Sequence, residues 1–257
     1  MSIRPVMELG ADRDPISVLT LRHHVPDARH ALDPVEVRPL IDGRDLLEEI
    51  HPEGYASGVR EWAGPADERP LAAFEEPRRV TFSEADCGAA CCGAVWATVR
   101  REGDLVIWSD WENLGDTEIT LPELRFDATR YDAELARCAA DHTWEQPVDT
   151  TARLLEQAVK DADALAPWDC ALTGVHVRRD RLDRVHANFR YPRQWDGDGP
   201  WLHFELALPL DDPSDPPIEQ RVRDLANRLL DGDPRPRAVV RGGTGELAVR
   251  LGYRWMP

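Results

Sequence analysis

The sequence predicts an α+β fold of two largely antiparallel sheet-plus-helix units, packed as one body or as two. Three observations predict it. β-rich runs turn back on themselves as hairpins in both halves, stretches of helical period follow the hairpins instead of alternating with single strands, and a helix near 150–165 stands between the two sets. The units expected are an N-terminal one over 16–148, which includes a cysteine-containing hairpin, and a C-terminal one over 149–257.

After a charged arm over 1–15, residues 16–22 alternate as a strand, and 35–38 offer a second short one. Asp42-Gly43 marks a tight turn, and Leu46, Leu47 and Ile50 suit one or two turns of helix stopped by Pro52. The glycines and prolines of 54–70 predict a surface loop, with Trp62 packing back. Residues 94–100 return as 105–111 through a turn containing Gly103, a hairpin expected to place Trp96 and Trp108 on one face, and 121–126 add a neighbouring strand.

Tyr131, Leu135 and Cys138 then recur at helical spacing. Beyond a break near Pro147, a helix is expected to start at Asp149, Thr150 or Thr151 and to run to about Leu165. Leu154, Leu155, Ala158, Val159, Ala162 and Leu165 form its apolar stripe, with Glu156 and Lys160 paired on the solvent side. A second hairpin joins 175–178 to 184–189, and 202–208 alternate well. An acidic, proline-rich connector over 209–217 leads to a helix bearing Ile218, Val222, Leu225 and Leu229, and a last strand over 237–240 precedes a glycine-rich turn.

Composition bounds the function. The chain has 257 residues, a 42% apolar share and nine tryptophans, too rich for a disordered chain. Its apolar runs are too short to span a bilayer, and its N-terminus lacks the apolar core of a secretory signal, so a cytoplasmic protein is expected. A net charge of −17 repels phosphate backbones and argues against nucleic acid as partner. It suits cationic small molecules, divalent metals or a basic protein surface, and it clusters locally at Asp211, Asp212 and Asp215. Five cysteines do not form a dense even framework, so reduced thiols are expected.

The most distinctive segment places Cys87, Cys91 and Cys92 just before the first hairpin, as candidate metal ligands with zinc the cofactor they suggest. A structural zinc site takes four ligands, and no second cysteine set of matching spacing exists. Cys138, Cys170 or a histidine would have to complete it, and the competing reading is of small hydrophobes at a strand entrance. His23 and His24, with His30 beyond, form a second grouping, but adjacent strand residues point oppositely. His176, His186 and His203 come from three strands and would converge on one face only if the register allowed.

The run 241–247 follows a strand like a phosphate loop but lacks a Gly-Lys-Ser/Thr ending, and 195–199 supply too few oxygens for calcium; both read as turns. No G-x-S-x-G, H-E-x-x-H or Rossmann glycine pattern is present. With 48 carboxylates, no catalytic pair is singled out.

Residues 78–111, with Asp86-Cys87, Cys91-Cys92-Gly93 and the run Val106-Ile107-Trp108-Ser109-Asp110-Trp111, resemble an uncharacterised family of proteins from GC-rich bacteria, and the likeness continues through 121–126. That resemblance implies a shared fold, without an activity or a functional residue. Arginine in place of lysine, with Lys160 the sole lysine, accords with such a genome.

Two functions are then expected to compete. One is an acidic interaction protein binding a basic protein partner, as an immunity-like neutraliser of a cationic toxin domain would. The other is an enzyme or metal-dependent small-molecule binder with a cleft between the two halves, lined by His176, His186, His203 and the cysteine segment.

Overall fold

A computed structural model describes residues 15–27, 34–85, 93–113, 121–210 and 216–255. The fold is α+β, with mainly antiparallel pairing in three sheets among the described residues. Two compact units divide the chain, one built from Pro34–Asp141 with the segment ending at Val25, the other from His142 onward with a short segment beginning at Pro26. No helix of the described residues is long and apolar enough to cross a membrane.

In the first unit the run over 16–22 is not one strand. β1 (Ile16–Ser17) pairs in parallel with β8 (Leu124–Asp127), whereas β2 (Leu19–His24) pairs antiparallel with β3 (Glu36–Ile41) of another sheet. The break falls at Val18, whose N–H donates to Asp42 Oδ1 at 2.8 Å while its carbonyl accepts from Asp42 N at 3.0 Å. Asp42 and Gly43 take φ of 51° and 82°, the left-handed pair that a two-residue hairpin needs, and connect β3 to β4 (Arg44–Asp45). Asp45 then caps α1 (Leu46–Ile50), accepting from Leu47 N and Glu48 N.

The larger sheet has the order β1-β8-β7-β6-β5, with β5 Arg78–Glu84, β6 Ala94–Glu102 and β7 Leu105–Asn113. Trp96 and Trp108 lie on opposite faces, contrary to expectation. The tight turn pairs Glu102 with Leu105, which sets Val99 against Trp108, so Trp108 joins the core with Val95, Ala97 and Val99 while Trp96 stacks under Arg79 on the far side. Trp108 Nε1 donates to Tyr131 Oη at 3.1 Å, and Tyr131 Oη donates to Leu71 O at 2.7 Å, which satisfies both buried polar groups. Tyr131, Leu135 and Cys138 are the inner face of α2 (Ala128–Ala140), capped by Asp127. In the loop expected over 54–70, Val59–Trp62 forms a 3₁₀ turn that buries Trp62.

The second unit is a sheet of order β12-β11-β10-β9, formed by β9 (Ala171–Arg178), β10 (Arg181–Tyr191), β11 (Leu202–Pro209) and β12 (Val239–Gly243), all antiparallel. α3 (Pro147–Asp161) and α4 (Ile218–Leu230) bring Leu155, Val159, Leu225 and Leu229 into one core with Val185, Phe189, Phe204 and Val240. α3 begins at Pro147, before the expected start, because a first-turn proline needs no hydrogen-bond partner for a backbone N–H it lacks, and because Asp149 accepts from Gln146 N at 3.0 Å.

Asp149 also ties the sheet to this helix. Arg179, in the β9–β10 turn, holds both of its carboxylate oxygens at 2.9 and 3.0 Å, and both side chains are buried. A buried ion pair of this bidentate kind is costly to half-remove, since the remaining charge loses its counter-ion away from water. Arg179→Ala is expected to destabilise the protein by about 3 kcal/mol or more in urea unfolding, a loss that Asp149→Asn in the same chain partly restores. A loss under about 1 kcal/mol would show that the pair does not anchor the hairpin.

Candidate functional site

The site follows from parity along the strands. Val185, Ala187 and Phe189 of β10 and Leu202, Phe204, Leu206 and Leu208 of β11 are all buried in the apolar core. Phe189 lies opposite Phe204, their rings stacked at 5.3 Å and 12°. The alternate residues must therefore face away from α3 and α4: His186, Asn188 and Arg190 from β10, His203 and Glu205 from β11. Register then aligns them. His186 stands opposite His176 of β9, Asn188 opposite Glu205, and Arg190 opposite His203.

The imidazoles of His176 and His186 stack at 5.1 Å with 20° between their planes. Glu205 reaches toward both, with Oε1 3.5 Å from His186 Nδ1 and Oε2 3.9 Å from His176 Nε2. One donor atom from each of these three residues lies within 4.8 Å of the others. His186 is only 5% exposed, yet neither of its ring nitrogens makes a hydrogen bond among the described residues, so its approach to Glu205 is an electrostatic contact.

Two neighbours position the set. Asn188 Nδ2 lies 3.0 Å from His176 Nδ1 and fixes that ring. An amide is nearly symmetric in shape. Turned over, its oxygen accepts from Nδ1–H, and the Nε2 lone pair is left directed at Glu205. Arg241 of β12 donates to Glu205 Oε1 from Nη2 at 2.6 Å and from Nε at 3.1 Å, which leaves Oε2 as the less engaged oxygen. The His186 imidazole, together with Arg241, holds the Glu205 carboxyl down at about 2 against the opposing effect of burial. Burial lowers the pKa of His203, with Glu205 opposing and Arg241 reinforcing the shift, so that imidazole is neutral near pH 7.

Of the seven buried side-chain nitrogen and oxygen atoms without a hydrogen-bond partner among the described residues, five belong to this one face: both ring nitrogens of His186, Asn188 Oδ1, Arg190 Nε and His203 Nε2. Native interiors leave few such groups, and each costs about 1–3 kcal/mol. Among the described residues these unmet groups are concentrated on one sheet face.

Other groupings of candidate residues occur among the described residues. Cys138 Sγ sits 3.8 Å from His23 Nε2, and His23 Nδ1 3.8 Å from Asp141, a cysteine–histidine–aspartate order. The thiol is buried, however, and burial pushes it up to about 12, which leaves almost no thiolate to act. Cys170 is held up at about 12 in the same way. His24 is exposed where His23 is not, so the two do not share a site. His51 Nδ1 and Ser83 Oγ meet at 3.0 Å, but a Cβ on Gly54 would lie 2.2 Å from both atoms, so the backbone there leaves no room for a substrate.

In the glycine run over 241–247, Gly243 at φ +114° presses on Trp201, whose carbonyl accepts from Thr244 N at 2.7 Å and whose N–H donates to Thr244 Oγ1 at 3.2 Å. Those glycines serve strand contact before the short helix α5 (Gly245–Arg250). In 195–199, Asp198 N donates to Asp196 Oδ1 at 3.2 Å within a turn. Cys87, Cys91, Cys92, His30 and the acidic cluster Asp211, Asp212 and Asp215 lie outside the described residues.

Of the three histidines expected on one face, the structure thus brings His176 and His186 together, with His203 farther along the neighbouring strand. Glu205, Asn188, Arg190 and Arg241 were not among the expected residues. The alternation of His203-Phe204-Glu205 carried the signal for Glu205, which must share a face with His203.

No family model, curated protein or solved structure matches this chain.

Glu205 has its ordinary value, about 4.3, lowered on folding, so its carboxylate contributes stability that is present above about pH 4.3 and lost as pH falls toward 2. His203 acts with the same sign. Its folded value is lowered, so the unfolded chain takes up the proton first as pH falls below about 6.5. Unfolding midpoints should therefore fall with pH, and Glu205→Gln should flatten the curve below about pH 5. An unchanged slope in that variant would show that the carboxylate is not held by its neighbours.

Proposed function

We propose that the second unit holds a divalent transition-metal ion on His176, His186 and Glu205, and that the chain is a metal-dependent small-molecule-binding protein of the kind that leaves a coordination position open to its ligand. The observation that carries this reading is His186: a buried imidazole whose Nε2 has no hydrogen-bond partner among the described residues and whose Nδ1 has only a 3.5 Å electrostatic contact with Glu205, stacked on a second histidine that faces the same carboxylate. In a tetrahedral site with bonds of 2.0–2.2 Å, donors stand about 3.4 Å apart. The separations of 3.5 Å from His186 Nδ1 to Oε1 and 3.9 Å from His176 Nε2 to Oε2 approach that spacing on the two oxygens of one carboxylate, one donor atom from each residue lies within 4.8 Å of the others, and rotation of the carboxylate and the rings brings a single oxygen to both.

Donor chemistry narrows the ion. Two imidazoles and one carboxylate oxygen suit zinc, cobalt, nickel or copper, whereas calcium and magnesium call for oxygen-rich sets. Arg241 reinforces that preference, since its positive charge on Glu205 weakens purely ionic attraction and leaves the imidazole bonds as the main source of affinity. Three protein donors match the open sites in which water or a ligand completes the sphere. Asn188 supplies the outer hydrogen bond that sets a ligating ring's orientation. The reading of the chain as an acidic neutraliser of a basic protein draws its support from the net charge of −17, which points to no one surface, and ranks second for that reason.

The test is metal titration of the tag-free full chain after chelator treatment. About one equivalent of zinc or cobalt should bind, magnesium should not compete, and the cobalt spectrum should lack a sulfur-to-metal charge-transfer band. His186→Ala should weaken binding more than about 100-fold, and Asn188→Ala about 10-fold. A triple Cys87→Ser, Cys91→Ser, Cys92→Ser variant should bind as the parent does. Cobalt binding that shows the sulfur band and is abolished in the cysteine variant would overturn the assignment in favour of the thiols.

A further inference from the structure

We infer that Arg190 and His203 form an oxyanion-binding subsite on the same sheet face, and that the molecule this unit takes carries a carboxylate or phosphate group. The inference deepens the proposed function by naming its ligand class. It rests on that reading only in treating the face as a ligand site, and it does not require the ion to be present.

Arg190 and His203 stand directly opposite each other on β10 and β11. The Arg190 guanidinium is anchored by donation from Nη2 to Arg193 O at 3.1 Å and stands 5.7 Å from the centre of the Trp195 ring, so its plane is held in place. Its Nε–H is nonetheless buried without an acceptor, and so is His203 Nε2. His203 Nε2 donates whenever it carries a ring proton, as it does in the Nε2–H tautomer and in the doubly protonated ring alike. Asn188, one position along the same face, has an amide end without a partner, and that end is an NH₂ donor when the amide oxygen is turned to accept from His176 Nδ1–H.

Three unmet groups in a row, each able to donate, define what satisfies them: an acceptor with several lone pairs and negative charge. Arg190 pairs with no carboxylate among the described residues, although acidic groups outnumber basic ones in the chain by 48 to 31. The arginine also opens onto a cleft that can house the rest of the molecule. Tyr191, Trp195 and Leu247 give the cleft apolar and aromatic walls, and Arg250 adds a second cation without a carboxylate partner among the described residues. Asp196 and Asp198 stand on the same rim and oppose an anion there, which favours a ligand whose charge sits at the Arg190 end and whose flat, apolar body lies along Trp195. Glu205 opposes an anion as well, but Arg241 already compensates it.

The experiment is calorimetric titration of the chelator-treated, metal-free full chain with benzoate, acetate and phenyl phosphate, each probe in its own run, and of the zinc-loaded chain with benzoate. Benzoate or phenyl phosphate should bind the metal-free protein at least about 10-fold more tightly than acetate, and the tighter of the two identifies the group as carboxylate or phosphate. Arg190→Gln should weaken that binding at least about 10-fold while zinc affinity is unchanged. His203→Gln, on the other strand, should weaken it several-fold, and it serves as the deciding variant should Arg190→Gln lower the unfolding midpoint.

Failure of all three probes to bind, or affinities unchanged in both variants, would overturn the subsite and indicate that buried water alone meets these groups. Anion binding without zinc binding would sink the metal reading and leave the subsite standing. Zinc binding without anion binding would do the reverse.

Discussion

The pairing of Phe189 with Phe204 is the constraint on which the candidate site depends. Both rings are fully buried, and burying two such side chains is worth several kcal/mol, so the alternative in which either turns to solvent is strongly disfavoured. Strand side chains alternate with a period of two. A slip of one residue between β10 and β11 would send Asn188 or Glu205 into the core and the phenylalanines out, and the apolar face therefore dictates the polar one. His186 meets His176, and Asn188 meets Glu205, as the obligatory reverse side of a well-packed sheet.

That reverse side is expensive for the fold. A buried imidazole without a hydrogen bond, an orphaned arginine Nε and an unpaired histidine Nε2 each work against stability, and among the described residues only the 3.5 Å approach of Glu205 to His186 relieves any of them. Elsewhere among the described residues only Arg69 Nε and Arg78 Nε are left without a partner, and other buried polar groups are paired, as Trp108, Tyr131 and the Leu71 carbonyl are in series, and as Asp149 is with Arg179. A sequence able to satisfy groups so completely in one place and leaving them unmet in another is consistent with a site whose partner comes from outside. The anchoring pair at Asp149 and Arg179 fits this division of labour, since it fastens the β9–β10 turn to the start of α3 at the opposite end of β10 from Arg190.

Much of the architecture was legible because local rules agreed with one another. Asp42-Gly43 predicted a tight turn, the spacing of Tyr131, Leu135 and Cys138 predicted the buried side of α2, and 175–178 and 184–189 predicted the hairpin that carries the site. Errors arose where a long-range partner decided. Residues 16–22 alternate as a single strand, yet Val18 is claimed by Asp42 of a different hairpin, and the run splits between two sheets. Trp96 and Trp108 both look like core residues on adjacent strands, but the length of the turn at Gly103 sets the register and separates them.

By itself the sequence determined the fold class, most of the hairpins and helices, and the parity that puts His203 and Glu205 on one face, because each of these follows from periodicity and turn chemistry within a few residues. Only the tertiary structure decided that His176 and His186 stack, that Glu205 lies between them and Arg241, and that Arg190 faces His203 with its Nε unmet. The reason is physical. Register across three strands is chosen by the packing of the opposite, apolar face, and whether a buried polar atom is satisfied depends on neighbours 12 to 43 residues distant in the chain, as the separations of Asn188 from His176 and of Trp201 from Thr244 illustrate.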